Sequence, residues 1–359
     1  MNIELELNLP KQVLEVLDKL GEYGYSAYIH GECVRVLIKG QTHLDEIKAF
    51  DFDVMTNADM PRIRAIFDKY NKNEDNLDKG ELIVTILGVA ISITSFTDLK
   101  TELANEYAFT FDAIAYSTKT GLFDPFNGLK DLEKNELNFI HIGKNFNFHD
   151  ILPALAWQSS GEFTLSDFAK GLIKCNLTDM ATPAFAKESQ DAKALKNVLI
   201  ERNVGSVLAE YSDVFTAIIP ELEKLDDETA AHAYKCVGCA SPILSLRYAL
   251  LFHELGKQDC HSKTPDEKDF YYGKSERSRI YAFRIMSRLG CEADEIKETE
   301  YIITNAQKIT HADEDNILDL TDDFPRDLLK LLLLFNCAVC RAASDEKTAM
   351  KFKKLSNTI

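Results

Sequence analysis

Apolar residues recur at helical spacing from Lys11 to Leu20 (Val13, Leu14, Val16, Leu17, Leu20), behind Pro10, a residue suited to a helix start. Ser26 to His30 reads as a short strand running into Gly31. Phe50 to Met55 alternates as Phe-Asp-Phe-Asp-Val-Met, the period of two expected of a half-buried strand. Pro61 opens a helix reaching Tyr70, and the polar stretch Asn71 to Lys79 predicts a solvated loop. Glu81 to Phe96, rich in Ile, Val and Thr and broken at Gly88, predicts a β-hairpin. Ala108 to Tyr116 predicts a strand or a strand-to-helix transition. Beyond Asp150 the alternation fades into helical patterns, with breaks near Ser159-Ser160-Gly161, Thr182-Pro183, Pro220 and Ser241-Pro242. The pattern predicts a mixed α/β head followed by an all-helical remainder.

Composition narrows the picture. The 359 residues are long enough for two or three domains, and 45% hydrophobic with 28% charged is ordinary for a globular chain. Against 41 Lys and Arg stand 58 Asp and Glu, a net charge of −17 that disfavours a chain-wide surface for phosphate backbones. The longest apolar run, Leu328 to Val339, is interrupted by Lys330 and Asn336 and is too short to span a bilayer, so no membrane partner is expected. The opening Met1-Asn2-Ile3-Glu4-Leu5-Glu6 lacks the form of a secretory signal. Eight cysteines in so long a chain read as reduced thiols in a cytoplasmic protein.

The densest chemistry lies in Asp51-Phe52-Asp53. On a strand both carboxylates face one side while Phe52 packs inward. Two solvated acids on an edge strand would look the same, but a cation joining them suits a hard divalent ion, Mg2+, with phosphate oxygens. Upstream, Tyr28-Ile29-His30-Gly31-Glu32-Cys33-Val34-Arg35 reads as strand, glycine turn and helix, an arrangement able to hold a triphosphate. Downstream come Phe109-Thr110-Phe111-Asp112 and Asp124-Pro125-Phe126-Asn127-Gly128-Leu129-Lys130-Asp131-Leu132.

In that order and spacing these segments resemble the class II tRNA nucleotidyltransferase (CCA-adding enzyme) and bacterial poly(A) polymerase family. Its members carry a Gly-Gly-x-Val-Arg-Asp loop, an Asp-x-Asp strand, an Arg-Arg-Asp-Phe-Thr-x-Asn-Ala segment and an Asp-Pro-x-Gly-Gly-x-x-Asp-Leu turn. Farther on, Ile219-Pro220-Glu221-Leu222, His232 and Leu246 to Lys257 resemble the family's helical part and the HD-type domain of many bacterial members. The resemblance implies an α+β chain: a polymerase-β-like nucleotidyltransferase head over 1–150, a helical neck over 151–225 and an HD-like body over 226–359. It implies Asp51 and Asp53 as catalytic carboxylates on Mg2+, and Gly31, Arg35, Asp112 and Asp150 as nucleotide-binding residues. NTP is then the substrate, an RNA 3′ end such as tRNA the acceptor, and His232, His253 and Glu254 a second metal candidate.

The departures fall on functional positions. Glu32 stands at the loop's second glycine, Val36 at its Asp, and Ala108 at the third metal carboxylate, with Glu106 and Asp112 the nearest substitutes along the same expected strand. Pro153, Ala156 and Ser159 replace the arginines of the base-reading neck helix, while Glu254 and Lys274 stand at Asp and His positions of the HD pattern. Three functions follow: nucleotidyl transfer to RNA, a catalytically impaired module that binds nucleotide, RNA or protein, or transfer to a non-RNA acceptor. Cys236/Cys239 and Cys337/Cys340 would make a zinc site if their helices met, or else core thiols. Lys351-Phe352-Lys353-Lys354 is a small basic cluster that suits a solvated helix end.

Overall fold

Pro10 precedes helix α1 (Lys11–Glu22), whose Val13, Val16, Leu17 and Leu20 are buried as their spacing predicts. The computed structural model describes residues 6–40, 52–177, 189–263 and 266–359. The chain divides into two compact units, residues 1–146 with 165–172, and residues 147–164 with 173–359.

The first unit is built on a seven-stranded mixed sheet. Its elements are β1 (Ala27–His30), α2 (Glu32–Ile38), β2 (Phe52–Thr56), α3 (Met60–Ile66), β3 (Asn71–Asn73), β4 (Glu81–Ile86) and β5 (Val89–Ser95), then α4 (Leu99–Glu106), β6 (Ala115–Ser117), β7 (Gly121–Phe123) and α5 (Gly128–Lys134). The strand order is β3-β4-β5-β2-β1-β6-β7. β2 runs parallel to β5 and antiparallel to β1. One face, with Ile29, Phe52, Val54, Ile91 and Ile93, packs on α1 and α3 residues.

The predicted hairpin forms, turning at Leu87-Gly88 with φ of 47° and 84°. Two positive φ values match the twist that two-residue hairpins need. Two expectations change. The loop after Tyr70 begins with β3, which pairs with β4. The strand expected from Ala108 shrinks to β6, because residues 110–112 form a turn in which the Asp112 and Ala113 amides donate to the Phe109 and Thr110 carbonyls.

The helical part comprises α6 (Ile151–Ser160), α7 (Asp167–Asn176), α8 (Gln190–Ile200), α9 (Val204–Glu210), α10 (Ser212–Ile218), α11 (Asp227–Cys239), α12 (Leu244–Phe252), α13 (Lys274–Arg288), α14 (Ala293–Asn305), α15 (Ile317–Asp323), α16 (Arg326–Ala342) and α17 (Glu346–Thr358). At its centre Arg247 of α12 is 2% exposed. Its guanidinium donates to the Leu199 and Glu201 carbonyls at the end of α8, and to the Ala240 carbonyl at the end of α11, the last two at 2.7 and 3.0 Å. A buried cation is thereby held by the electronegative ends of two helices, with the Glu201 carboxylate adding to the favourable field. Among the described residues no helix is long and apolar enough to cross a membrane.

Candidate active site

Asp53 lies in the interior of the sheet, half-buried, opposite His30 of β1 and Ser92 of β5 in the strand register. Directly paired residues share a face, so Asp53, His30 and Ser92 line one side while Phe52 and Val54 enter the core on the other. That matches the orientation the Asp-Phe-Asp pattern predicts. Asp51 lies outside the described residues.

Gly31 joins β1 to α2 at φ 77°, ψ −143°, a conformation for glycine. It is also too crowded for a side chain: a Cβ there would come within 2.1 Å of the Tyr107 hydroxyl. That hydroxyl is 2.7 Å from His30 Nδ1, and the two rings meet edge-on. His30 is 3% exposed, and its Nε2 is buried with no hydrogen-bond partner among the described residues. Burial pushes its pKa down to about 4, so the imidazole is neutral. Burial also raises the Tyr107 phenol, with Asp53 the next contributor, and drives the Cys33 thiol up to about 12. Cys33 donates to the His30 carbonyl at 3.1 Å and stays a thiol.

Arg35 and Asp112, both expected at the nucleotide, bind each other. The Arg35 Nε–Asp112 Oδ1 distance is 2.8 Å, and Glu32 takes a second guanidinium nitrogen at 3.3 Å. Arg35 is 5% exposed and lies 5.8 Å from the centre of the Phe111 ring. Burial raises the Asp112 carboxyl against the opposing pull of Arg35. The turn over 110–112 sends Asp112 to this arginine, so it does not replace the carboxylate missing at Ala108. Glu106 ends α4 and is exposed, and no strand face connects it to Asp53. Close to Asp53 stand His30, its partner across the strand pair, and Tyr107, neither of which the sequence singles out as a site residue. Their signal was local: a tyrosine beside the altered carboxylate position and a histidine just before the loop glycine.

The Asp124–Leu132 segment acts as a clamp. Asp124 accepts from the Gly128 and Leu129 amides at 2.7 and 3.0 Å, capping α5. Gly128 abuts the Thr110 carbonyl so closely that a Cβ would sit 2.0 Å away, and the Thr110 hydroxyl donates to buried Asp131 at 2.6 Å. These contacts fix the turn that carries Asp112.

In the second unit, Asp150 ends a short 3-10 turn before α6 and accepts from Asn147 Nδ2 at 3.3 Å. Pro153 is the third residue of α6, inside the first turn where proline costs least. Ser159, at a position the resemblance gives to arginine, is fully buried and donates to the Val198 carbonyl at 3.2 Å. It therefore serves the contact between α6 and α8.

His232, His253 and Glu254 do not assemble into the second metal site. The Lys274 ammonium sits 2.5 Å from Glu254 Oε1 and occupies the carboxylate. Among the described residues no group of three or more His, Cys, Asp or Glu is arranged to hold a metal, which includes the two cysteine pairs.

No family model matches the chain. The CCA-adding enzyme of Lactobacillus johnsonii is 27% identical over 194 residues, 47% of this chain and 46% of that protein. The chain thus spans about half the length of the curated relatives it matches. The crystal structure of the Bacillus stearothermophilus CCA-adding enzyme in complex with CTP superposes with a TM-score of 0.65 at 18% identity, covering 97% of this chain and 82% of that one. A tRNA-processing enzyme in an apo form gives 0.68 at 16% identity, covering 98% and 100%. The chain has the fold of the CCA-adding enzymes and is similar to them in sequence over about half its length.

Proposed function

We propose that the protein transfers a nucleoside monophosphate from a nucleoside triphosphate to an RNA 3′-hydroxyl, with tRNA the first acceptor to test. The observation that carries this reading is Asp53, presented half-buried from an interior strand of the family's sheet, opposite His30 and beside the Gly31 turn. Asp51 and Asp53 would hold Mg2+, whose oxygen-only ligand preference suits a carboxylate pair and a triphosphate. When bound, the ion offsets the charge of the phosphates. The chain's own part is positioning: Gly31 makes the turn from β1 to α2 while admitting the Tyr107 hydroxyl beside it, and the Arg35–Asp112 pair holds α2 against the 110–112 turn.

A second reading, nucleotide binding without transfer, is favoured by Ala108 at the third carboxylate position and by the commitment of Arg35 to Asp112 and Glu32. Both changes remove groups that would steady charge during phosphoryl transfer. The net charge of −17 weakens the pull on an RNA backbone and leaves room for a non-RNA acceptor.

One experiment separates the three. The protein is incubated with labelled NTPs, Mg2+ and a tRNA lacking its CCA end. Incorporation into RNA that Asp53→Ala abolishes supports transfer. NTP binding with no labelled product anywhere supports the binding module. Label on a small molecule or protein supports the other acceptor. If the parent takes up no ribonucleotide with Mg2+, all three readings fail.

A further inference from the structure

On the face of the sheet that carries Asp53, a carboxylate outside the sequence motifs reaches the row of site residues. In β4 and β5 alternate residues are buried, Leu82, Val84 and Ile86 on one strand, Val89, Ile91 and Ile93 on the other. Glu81 and Ser92 therefore project from the opposite face, each half-buried. Ser92 pairs directly with Asp53 of β2 and, on its other side, with Ile83 of β4. Glu81 lies two residues before Ile83 and so shares that face. Neighbouring strands run about 4.8 Å apart, which puts the Ser92 hydroxyl within side-chain reach of whatever Asp53 holds.

The Ser92 hydroxyl lies 2.7 Å from Glu81 Oε1. A carboxylate only accepts, so Ser92 Oγ donates its hydrogen to Glu81 and keeps its lone pairs for a second donor. Asn76 Nδ2 donates to the other oxygen, Glu81 Oε2, at 2.7 Å, and the Glu81 amide donates to the Asn76 carbonyl at 3.2 Å. A hydroxyl thus stands in the row of Asp53, a carboxylate stands behind it, and an amide fixes the carboxylate. That is the arrangement of a positioned proton acceptor.

We propose that Ser92 and Glu81 form a proton relay for the acceptor hydroxyl, with Ser92 the catalytic residue and Glu81 the positioning residue that receives the proton. The relay rests on the reading that the protein transfers a nucleoside monophosphate. As the acceptor oxygen bonds to the α-phosphorus, its proton passes to Ser92 Oγ, and Ser92 passes its own to Glu81 Oε1. The bond from the α-phosphorus to the bridging oxygen breaks, that oxygen keeps the electron pair, and pyrophosphate leaves. Glu81 then returns its proton to solvent. A carboxylate on β4 thereby removes the proton, which lessens the dependence on the carboxylate absent at Ala108.

The test uses the full chain, labelled NTP, Mg2+ and a tRNA lacking its CCA end, with kcat, KM and melting temperature measured for each variant. Glu81→Gln keeps the length of the side chain and an oxygen for Ser92 but cannot take a proton. It should lower kcat by about 100-fold while the KM for NTP stays within about twofold. Ser92→Ala should do the same, and Ser92→Thr should restore most of the rate. The double variant of Ser92→Ala with Glu81→Gln should lose no more than the worse single variant, because the two groups act as a unit. If Glu81→Gln folds poorly, Ser92→Ala, which deletes one oxygen, carries the same test. An active parent whose kcat survives either substitution, with only the melting temperature lowered, would overturn the relay and leave transfer standing. A parent that labels no acceptor removes the transfer reading and the relay together.

Discussion

At the scale of single residues, the head site rests on two buried pairs. Tyr107→Phe removes the hydroxyl bonded to His30 Nδ1 and leaves that nitrogen, like Nε2, buried without a partner among the described residues. It should cost about 1–3 kcal/mol in denaturant unfolding. Gly31→Ala adds a clash with that same hydroxyl to a backbone position where side chains are strained. The Arg35–Asp112 pair makes a sharper prediction. Arg35→Met leaves the buried Asp112 carboxyl without its cation and should cost about 3–5 kcal/mol, Asp112→Asn should cost less because Glu32 still meets the guanidinium, and the double variant should lose much less than the sum. Additive losses in that cycle would show that the pair is not coupled.

At the scale of elements, a helix end is stabilised by whatever satisfies its free backbone groups. Asp124→Ala releases two amides at the start of α5, and should cost about 1–2 kcal/mol. It should also loosen the turn that carries Asp112, because α5 bears on Thr110 through Gly128. In the helical unit, Arg247→Met is close in volume but leaves the carbonyls ending α8 and α11 without their donor. A loss of roughly 2–4 kcal/mol is expected, with retained helicity by circular dichroism. An unchanged midpoint would show that those carbonyls find other partners.

Across the whole molecule, two buried histidines, one in each unit, link stability to pH. His30 faces Tyr107, with Asp53 across the strand pair, and His253 faces Glu254, Lys274 and His232. Burial lowers each from 6.5 to about 4. The folded state therefore binds these protons less readily than the unfolded chain, and stability is complete above about pH 6.5 and falls as pH drops towards 4. Each contributes on the order of 3 kcal/mol at most. Melting should shift downward across that window in both units, and His30→Gln should flatten the shift in the head alone.

Much of the head was legible in the sequence. Alternation placed Asp53 on one face of a strand and Phe52 in the core, and a glycine between strand and helix marked the loop. The hairpin at Leu87-Gly88 announced itself by β-branched residues around a turn. Local periodicity suffices there because each element buries one face. What the sequence left open is which charged groups meet. Arg35 and Asp112 are 77 positions apart, and only the turn over 110–112 aims one at the other. That turn itself depends on Gly128 approaching from α5. Likewise Lys274 and Glu254 join because Gly256 and Ser278 bring α13 onto the end of α12. Periodicity is written in neighbours along the chain, whereas the pairing of buried charges is decided by close backbone approach between distant segments.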